Sequence, residues 1–216
     1  MSTNKLRLRR LHSNAKGFTI VELMIATAVF GTVLLIVTVA ILQFTRVYYK
    51  GATQANTQDT ARAVMDRISQ AIQFNGGTVT QTPAGPSPGS SYAFCVGNQQ
   101  YSFTTGTQLV DSPTSSQTYH ALVVNDTAGC TSSTPAQNVR AATVSGRELL
   151  APKMRLSKIE VTNVGTNLYK VSVRVVFGDD DLLSNPTSAN AACKGTQGTQ
   201  FCAVSDITTV VTKRVE

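Results

Sequence analysis

Residues Leu23 to Leu42 are twenty consecutive positions without a charged side chain, and about 20 apolar residues are what a helix needs to cross the hydrocarbon of a bilayer. Nothing else in this 216-residue chain restricts its fold as strongly. Before the run stands a leader with Lys5, Arg7, Arg9, Arg10 and Lys16, followed by Gly17, Phe18 and, one position short of the run, Glu22. An ionised side chain inside a membrane helix costs about 2.5 to 3.5 kcal/mol on insertion scales. An acid at the edge of the span therefore calls for a partner. A secretory signal has an apolar region of only about 7 to 15 residues, and the run continues well past the small-x-small site Ala26-Thr27-Ala28. A plain signal-anchor helix explains the length but gives no reason for the glycine or the acid.

Lys16-Gly17-Phe18-Thr19-Ile20-Val21-Glu22-Leu23-Met24-Ile25-Ala26 resembles the cleavage and methylation motif of type IV prepilins and type II secretion pseudopilins: Gly, then Phe-Thr-x-x-Glu, then an apolar helix. The resemblance is close from Gly17 to about Phe44 and beyond that extends only to architecture. It implies cleavage after Gly17 by a membrane-embedded aspartyl prepilin peptidase and N-methylation of the new terminus at Phe18. It also implies entry of the first helix into a filament of other pilin subunits, through an assembly platform in the inner membrane.

The chemistry of the same residues supports this. Cutting after Gly17 removes the five basic side chains of the leader and creates an ammonium at Phe18, with a reference pKa of about 7.7 to 8.0. The nearest carboxylate is Glu22, four residues on. The pair can meet within one chain, where an acid in the first turn also suits the helix dipole, or between neighbouring helices in a bundle. The second pairing fixes axial register, since a slipped neighbour leaves two charges unpaired in an apolar medium.

The formal charge of +7 is concentrated at one end: the first 16 residues hold five of the 19 basic residues and none of the 12 acidic ones. The remainder balances to +2, so the excess reads as a topogenic signal that keeps the leader cytoplasmic. Aromatic residues are 6% and Trp is absent, and no basic face interleaved with aromatics offers a nucleic-acid groove. No nucleic acid is expected as a partner of the mature domain; membrane lipid is. With the leader inside, everything past Phe44 is extracytoplasmic. Cys95, Cys130, Cys193 and Cys202 all fall there, and an even count in an oxidising compartment favours disulfides. Of three connectivities, Cys193–Cys202 with Cys95–Cys130 is favoured because the former closes a short Gly/Gln-rich loop. Zinc lacks support: no C-x-x-C occurs and His120 is the only histidine in the region.

The helix is expected to continue past the membrane. No proline precedes Pro83, and Ala61, Val64, Met65, Ile68, Ala71 and Ile72 repeat at spacings of three and four, the pattern of a helix with one apolar face. One helix from Phe18 to about Phe74 would be about 85 Å long. It divides into a membrane and filament-core half to residue 44 and an amphipathic half over 45–75 that lies on a sheet. Many major pilins carry a mid-helix proline. Here Val39 and its neighbours have none, and Gly31 is the weak point or a site of close packing. Asn75-Gly76-Gly77 ends the helix, and residues 78–91 form a loop containing Pro83, Pro86 and Pro88. Strands are expected at 92–96, 100–104, 119–124, 148–151, 154–164, 168–177 and 204–212. Tyr169, Val171, Val173, Val175 and Phe177 alternate as in a half-buried strand, with a hairpin around Gly165-Thr166-Asn167. Helix first, then antiparallel strands, gives an α+β fold of type IV pilin-like layout, with residues 76–216 as the extracytoplasmic domain.

No catalytic constellation is evident. His12 lies in the leader, His120 stands alone, and neither G-x-S-x-G nor H-E-x-x-H occurs; no cofactor is expected. Asp179-Asp180-Asp181 is the one acidic cluster. Calcium suits clustered oxygens, but three consecutive acids after a strand read as a solvated turn, and no metal is assigned. The expected function is a structural subunit of a type IV pilus-like filament, a minor pilin. The rivals are a pseudopilin of a secretion or competence system, or a membrane-anchored surface domain that never polymerises. The final location is the cell surface or a periplasmic pseudopilus. If adhesion occurs, loops 83–90 and 179–198 are its candidates by exposure alone.

Overall fold

The computed structural model describes residues 17–195 and 198–214. The basic leader to Lys16, with His12, lies outside the described residues. The chain divides into two compact units, Met1–Thr45 and Arg46–Glu216. Helix α1, Ile20–Phe74, runs through both as one 55-residue element.

In the first unit every described residue is exposed. The best 18-residue window of α1 has mean hydropathy 2.6 and none of it is buried. The hydroxyls of Thr27, Thr32, Thr38 and Thr45 donate to carbonyls three or four residues back. These four polar side chains thus satisfy themselves within the helix, as an apolar surrounding requires.

In the second unit α1 becomes amphipathic. Thr57, Ala61, Val64, Met65, Ile68, Ala71 and Ile72 are buried, and Ile68 and Ile72 are each 0% exposed. Burying a side chain of that size contributes about 1.5 to 3 kcal/mol. The helix ends at Phe74, where Asn75 N–H still donates to Ala71 O.

Eleven strands follow among the described residues: β1 Tyr92–Val96, β2 Gln99–Phe103, β3 Gln108–Leu109, β4 Gln117–Thr118, β5 Leu122–Asp126, β6 Arg147–Glu148, β7 Met154–Gly165, β8 Leu168–Phe177, β9 Leu183–Ser184, β10 Ala192–Cys193 and β11 Ala203–Thr212. They form a four-stranded sheet ordered β1-β2-β5-β6, a five-stranded sheet ordered β11-β8-β7-β3-β4, and the pair β9-β10. All pairings are antiparallel except β3 with β4, which is parallel. The turn from β1 to β2 has two residues, with Gly97 at φ 58°, and a Cβ there would run into the carbonyl oxygen of Gly76. Only glycine fits that turn. The β7–β8 hairpin turns through Thr166 and Asn167, the latter at φ 56°.

One core joins the helix stripe to both larger sheets: Phe94, Val96, Tyr101, Phe103 and Leu122 from one, Leu156, Val161, Val171, Val173 and Val175 from the other. Phe94 and Tyr101 stack at 4.9 Å, nearly parallel. A smaller cluster of Val176, Leu183, Ala191 and Cys202 lies under the carboxyl-terminal loops.

Three expectations need correction. The helix begins at Ile20 rather than Phe18, because Thr19 caps it. The strand expected over 119–124 starts only at Leu122, as β5, and runs on to Asp126, and that over 148–151 shrinks to Arg147–Glu148, after which Leu149 and Leu150 N–H turn back to the Glu148 carboxylate. The Asp179–Asp181 run keeps its reading as a solvated turn: all three residues are exposed, in or beside a short 3-10 turn, Asp180–Leu182, that a buried arginine ties to the core.

Candidate functional site

The start of α1 is built by its own side chains. Glu22 N–H donates to Thr19 Oγ1 at 3.2 Å, while Thr19 N–H and Oγ1–H donate to Glu22 Oε2 at 3.0 and 2.9 Å. This reciprocal arrangement is a capping box, S/T-x-x-E, and satisfies donors that a helix start otherwise leaves open. The Thr19-x-x-Glu22 spacing was available in the sequence as that signal. Glu22 is thus held by Thr19 while Phe18 is still joined to Gly17.

Around the expected cut, Gly17 and Phe18 are exposed, Phe18 by 79%. A Cβ added at Gly17 meets nothing within 4 Å. The chain's own packing therefore does not require glycine there. Gly31 likewise stands in open space, although glycine inside a helix costs about 0.5 to 1 kcal/mol relative to alanine.

Arg155, on β7, is 0% exposed. Its Nη2 donates to Asp180 Oδ1 at 2.6 Å and to Gly178 O at 3.0 Å, and Nη1 reaches Gly106 O and Pro186 O at 3.5 and 3.4 Å. Gln108 Nε2 donates to Asp179 Oδ1 at 2.9 Å. Two of the three acids thus fasten the loop after β8 to the sheet. Among the described residues no group of three or more His, Cys, Asp or Glu side chains converges on one point.

His120 does not stand alone: its Nδ1 lies 3.5 Å from Glu148 Oε2. The Glu148 oxygens accept N–H groups of Ala121, Leu122, Leu149 and Leu150. Burial pushes the Glu148 carboxyl up from its ordinary value, and those backbone donors together with His120 oppose the shift. Glu148 works as a clamp between strand ends. Burial also pushes the Tyr101 phenol up to about 12, opposed by Arg67 and reinforced by Asp126; its hydroxyl donates to Gln99 Oε1 at 3.2 Å.

The structure pairs Cys95 with Cys130 and Cys193 with Cys202. The two loops singled out by exposure differ: residues 83–90 are mostly exposed, while the 179–195 stretch contains the buried Leu183 and Ala191.

The model of one family, the prokaryotic N-terminal methylation motif, matches residues 12–38. No curated protein and no solved structure matches the chain. With that motif at the head of an apolar helix, and antiparallel-rich sheets behind it, the chain is a type IV prepilin-like protein of α+β, pilin-like layout.

Proposed function

We propose that the chain is a structural subunit of a type IV pilus-like filament, a minor pilin. It enters the inner membrane as a prepilin with its leader in the cytoplasm and residues beyond 44 outside. A prepilin peptidase cuts after Gly17, Phe18 is N-methylated, and helix packing against other pilin subunits assembles it at the inner-membrane platform. The carrying observation is the methylation motif at the head of an unburied apolar helix whose only acid before Asp59 is Glu22. The open space at Gly17 adds to it: a glycine that the chain's own packing does not need fits a close-walled protease site. The bare Gly31 fits close approach of a second helix, since small residues let backbones meet in apolar surroundings.

In the mature chain the Phe18 ammonium lies beside a capping box already occupied by Thr19, so it competes for, or shares, the Glu22 carboxylate. Pairing with a neighbouring subunit's Glu22 sets register. Glu22→Val is expected to leave the chain in the membrane fraction and to lower its incorporation into sheared filaments by tenfold or more, the effect of about 1.4 kcal/mol. Unchanged incorporation removes the register role.

A further inference from the structure

Strand β7 pairs with β8 on one edge. Its other edge is paired at the two ends of the stretch 156–161 and unpaired between. Gly106 N–H donates to Leu156 O at 2.9 Å, and Thr82 N–H donates to Val161 O at 3.2 Å; Val161 N–H donates to Thr82 Oγ1 at 3.1 Å. Past Thr82 the chain bends at Ala84 and Gly85, so the pairing goes no further. Alternation along an antiparallel ladder points the N–H and C=O of Ile159 to the same edge as those of Val161, where no backbone group of the described residues meets them. The β7–β8 register slips between Leu156 and Lys158, which makes Ser157 the bulged residue, and bulges re-aim side chains. Ser157 is 2% exposed, and its hydroxyl has no hydrogen-bond partner among the described residues.

A cavity of about 170 Å³ opens on this stretch, with Ser157 and Ile159 in its wall. The two loops that exposure singled out meet here, Pro83 and Pro86 from one and Thr187 and Ala189 from the other. Their placement is fixed from beneath. Arg155 donates to Gly106 O and Pro186 O, and Gly106, at φ 74°, lets Thr187 approach so closely that an added Cβ would lie 2.9 Å from its Cα. At the mouth Lys158 Nζ and Glu160 Oε2 pair at 2.9 Å, both side chains partly exposed.

Each feature narrows the ligand. One main-chain donor and one acceptor are too few for an added strand and match a single residue. One cation and one anion in the same wall match a ligand that carries both charges. A cavity of about 150 Å³ accepts benzene, with about six heavy atoms, so this one has the size of a small amino acid. We propose that the cavity binds a free α-amino acid with a small side chain. Its carboxylate accepts from Ile159 N–H, the Ser157 hydroxyl and Lys158; its ammonium donates to Ile159 O and Glu160; its side chain lies against Pro83, Pro86 and Ala189. Insertion between Lys158 and Glu160 replaces one exposed ion pair by two. The site lies wholly within the second unit and stands independently of the filament reading.

Ligand-observed saturation-transfer NMR on the full-length chain in detergent, titrated with L-alanine, L-serine and L-valine, tests this. Saturable binding of at least one is expected. Acetylating its amino group, or amidating its carboxylate, should weaken binding about tenfold or more, the loss of a charge-assisted hydrogen bond. Glu160→Gln should shrink the penalty of acetylation, and Lys158→Gln that of amidation. Ala189→Leu should fill the cavity and abolish binding. Ser157→Ala should weaken binding without lowering the melting temperature of the ligand-free chain, a combination that a merely structural serine does not give. Should Ala189→Leu lose the fold by circular dichroism, Ser157→Ala decides. Absence of saturable binding by all three amino acids overturns the site, as does binding that survives both Ala189→Leu and Ser157→Ala. Equal binding of a form blocked at both ends overturns the amino-acid assignment and marks a peptide unit as the occupant.

Discussion

Arg155 is the residue on which the carboxyl-terminal half turns. A guanidinium with no solvent exposure must find acceptors inside the protein, and it does so in Asp180 and the carbonyls of Gly178, Gly106 and Pro186. Asp180 is half exposed, so removing its charge is milder than removing the arginine. Asp180→Asn is expected to cost about 1 to 3 kcal/mol and Arg155→Ala about 3 to 5 kcal/mol, both read by chemical denaturation of the full chain in detergent. Equal and negligible losses contradict the latch. Tyr101 gives a second check. Its folded pKa of about 12 lies above the ordinary 10.0, so the fold favours the neutral phenol. That contribution is complete below about pH 10 and is lost as the pH rises through about 12. A spectrophotometric titration should show one delayed tyrosine step, absent in Tyr101→Phe. Neither group was legible beforehand: Arg155 reads in sequence as one more polar position in a strand, and its burial depends on loops from 106, 178 and 186 meeting over it.

Helix α1 and strands β7 and β8 were legible because each is long enough to display a period. The Ala61–Ile72 stripe repeats at three and four, and every one of its residues lies in the core; Tyr169 to Phe177 repeats at two. Strands of two residues, such as β3, β4, β9 and β10, display no period at all. They exist only because a neighbouring backbone completes their hydrogen bonds, and the parallel β3–β4 pair follows from that tertiary placement. The two disulfides should differ in weight. Loop closure over a separation of 35 for Cys95–Cys130 constrains the unfolded chain more than over 9 for Cys193–Cys202, by the chain-entropy model about 4 against about 3 kcal/mol. Paired Cys→Ala variants, compared by thermal melting, should rank in that order; the reverse ranking would mean that native contacts, rather than loop entropy, set the difference.

For the molecule as a whole, two kinds of surface coexist in one chain: a unit whose apolar side chains are all exposed among the described residues, and a unit that buries its own core. An unburied 18-residue helical stretch of mean hydropathy 2.6 is unfavourable in water, so the chain is incomplete until a membrane or other helices cover it. The methylation motif was readable because Gly17 to Glu22 and the apolar run adjoin in sequence, with no tertiary contact needed to bring them together. What the folded unit touches was not readable, since it depends on loops brought together by the sheets. The proposed assembly needs a free, methylated amino terminus at Phe18 facing Glu22. Intact-mass and amino-terminal peptide analysis of the chain recovered from filaments of its native host measures that. The expected product begins at Phe18 and carries one additional methyl group on its terminal nitrogen; a filament-incorporated chain that retains residues 1–17, or begins beyond Ala28, contradicts the account.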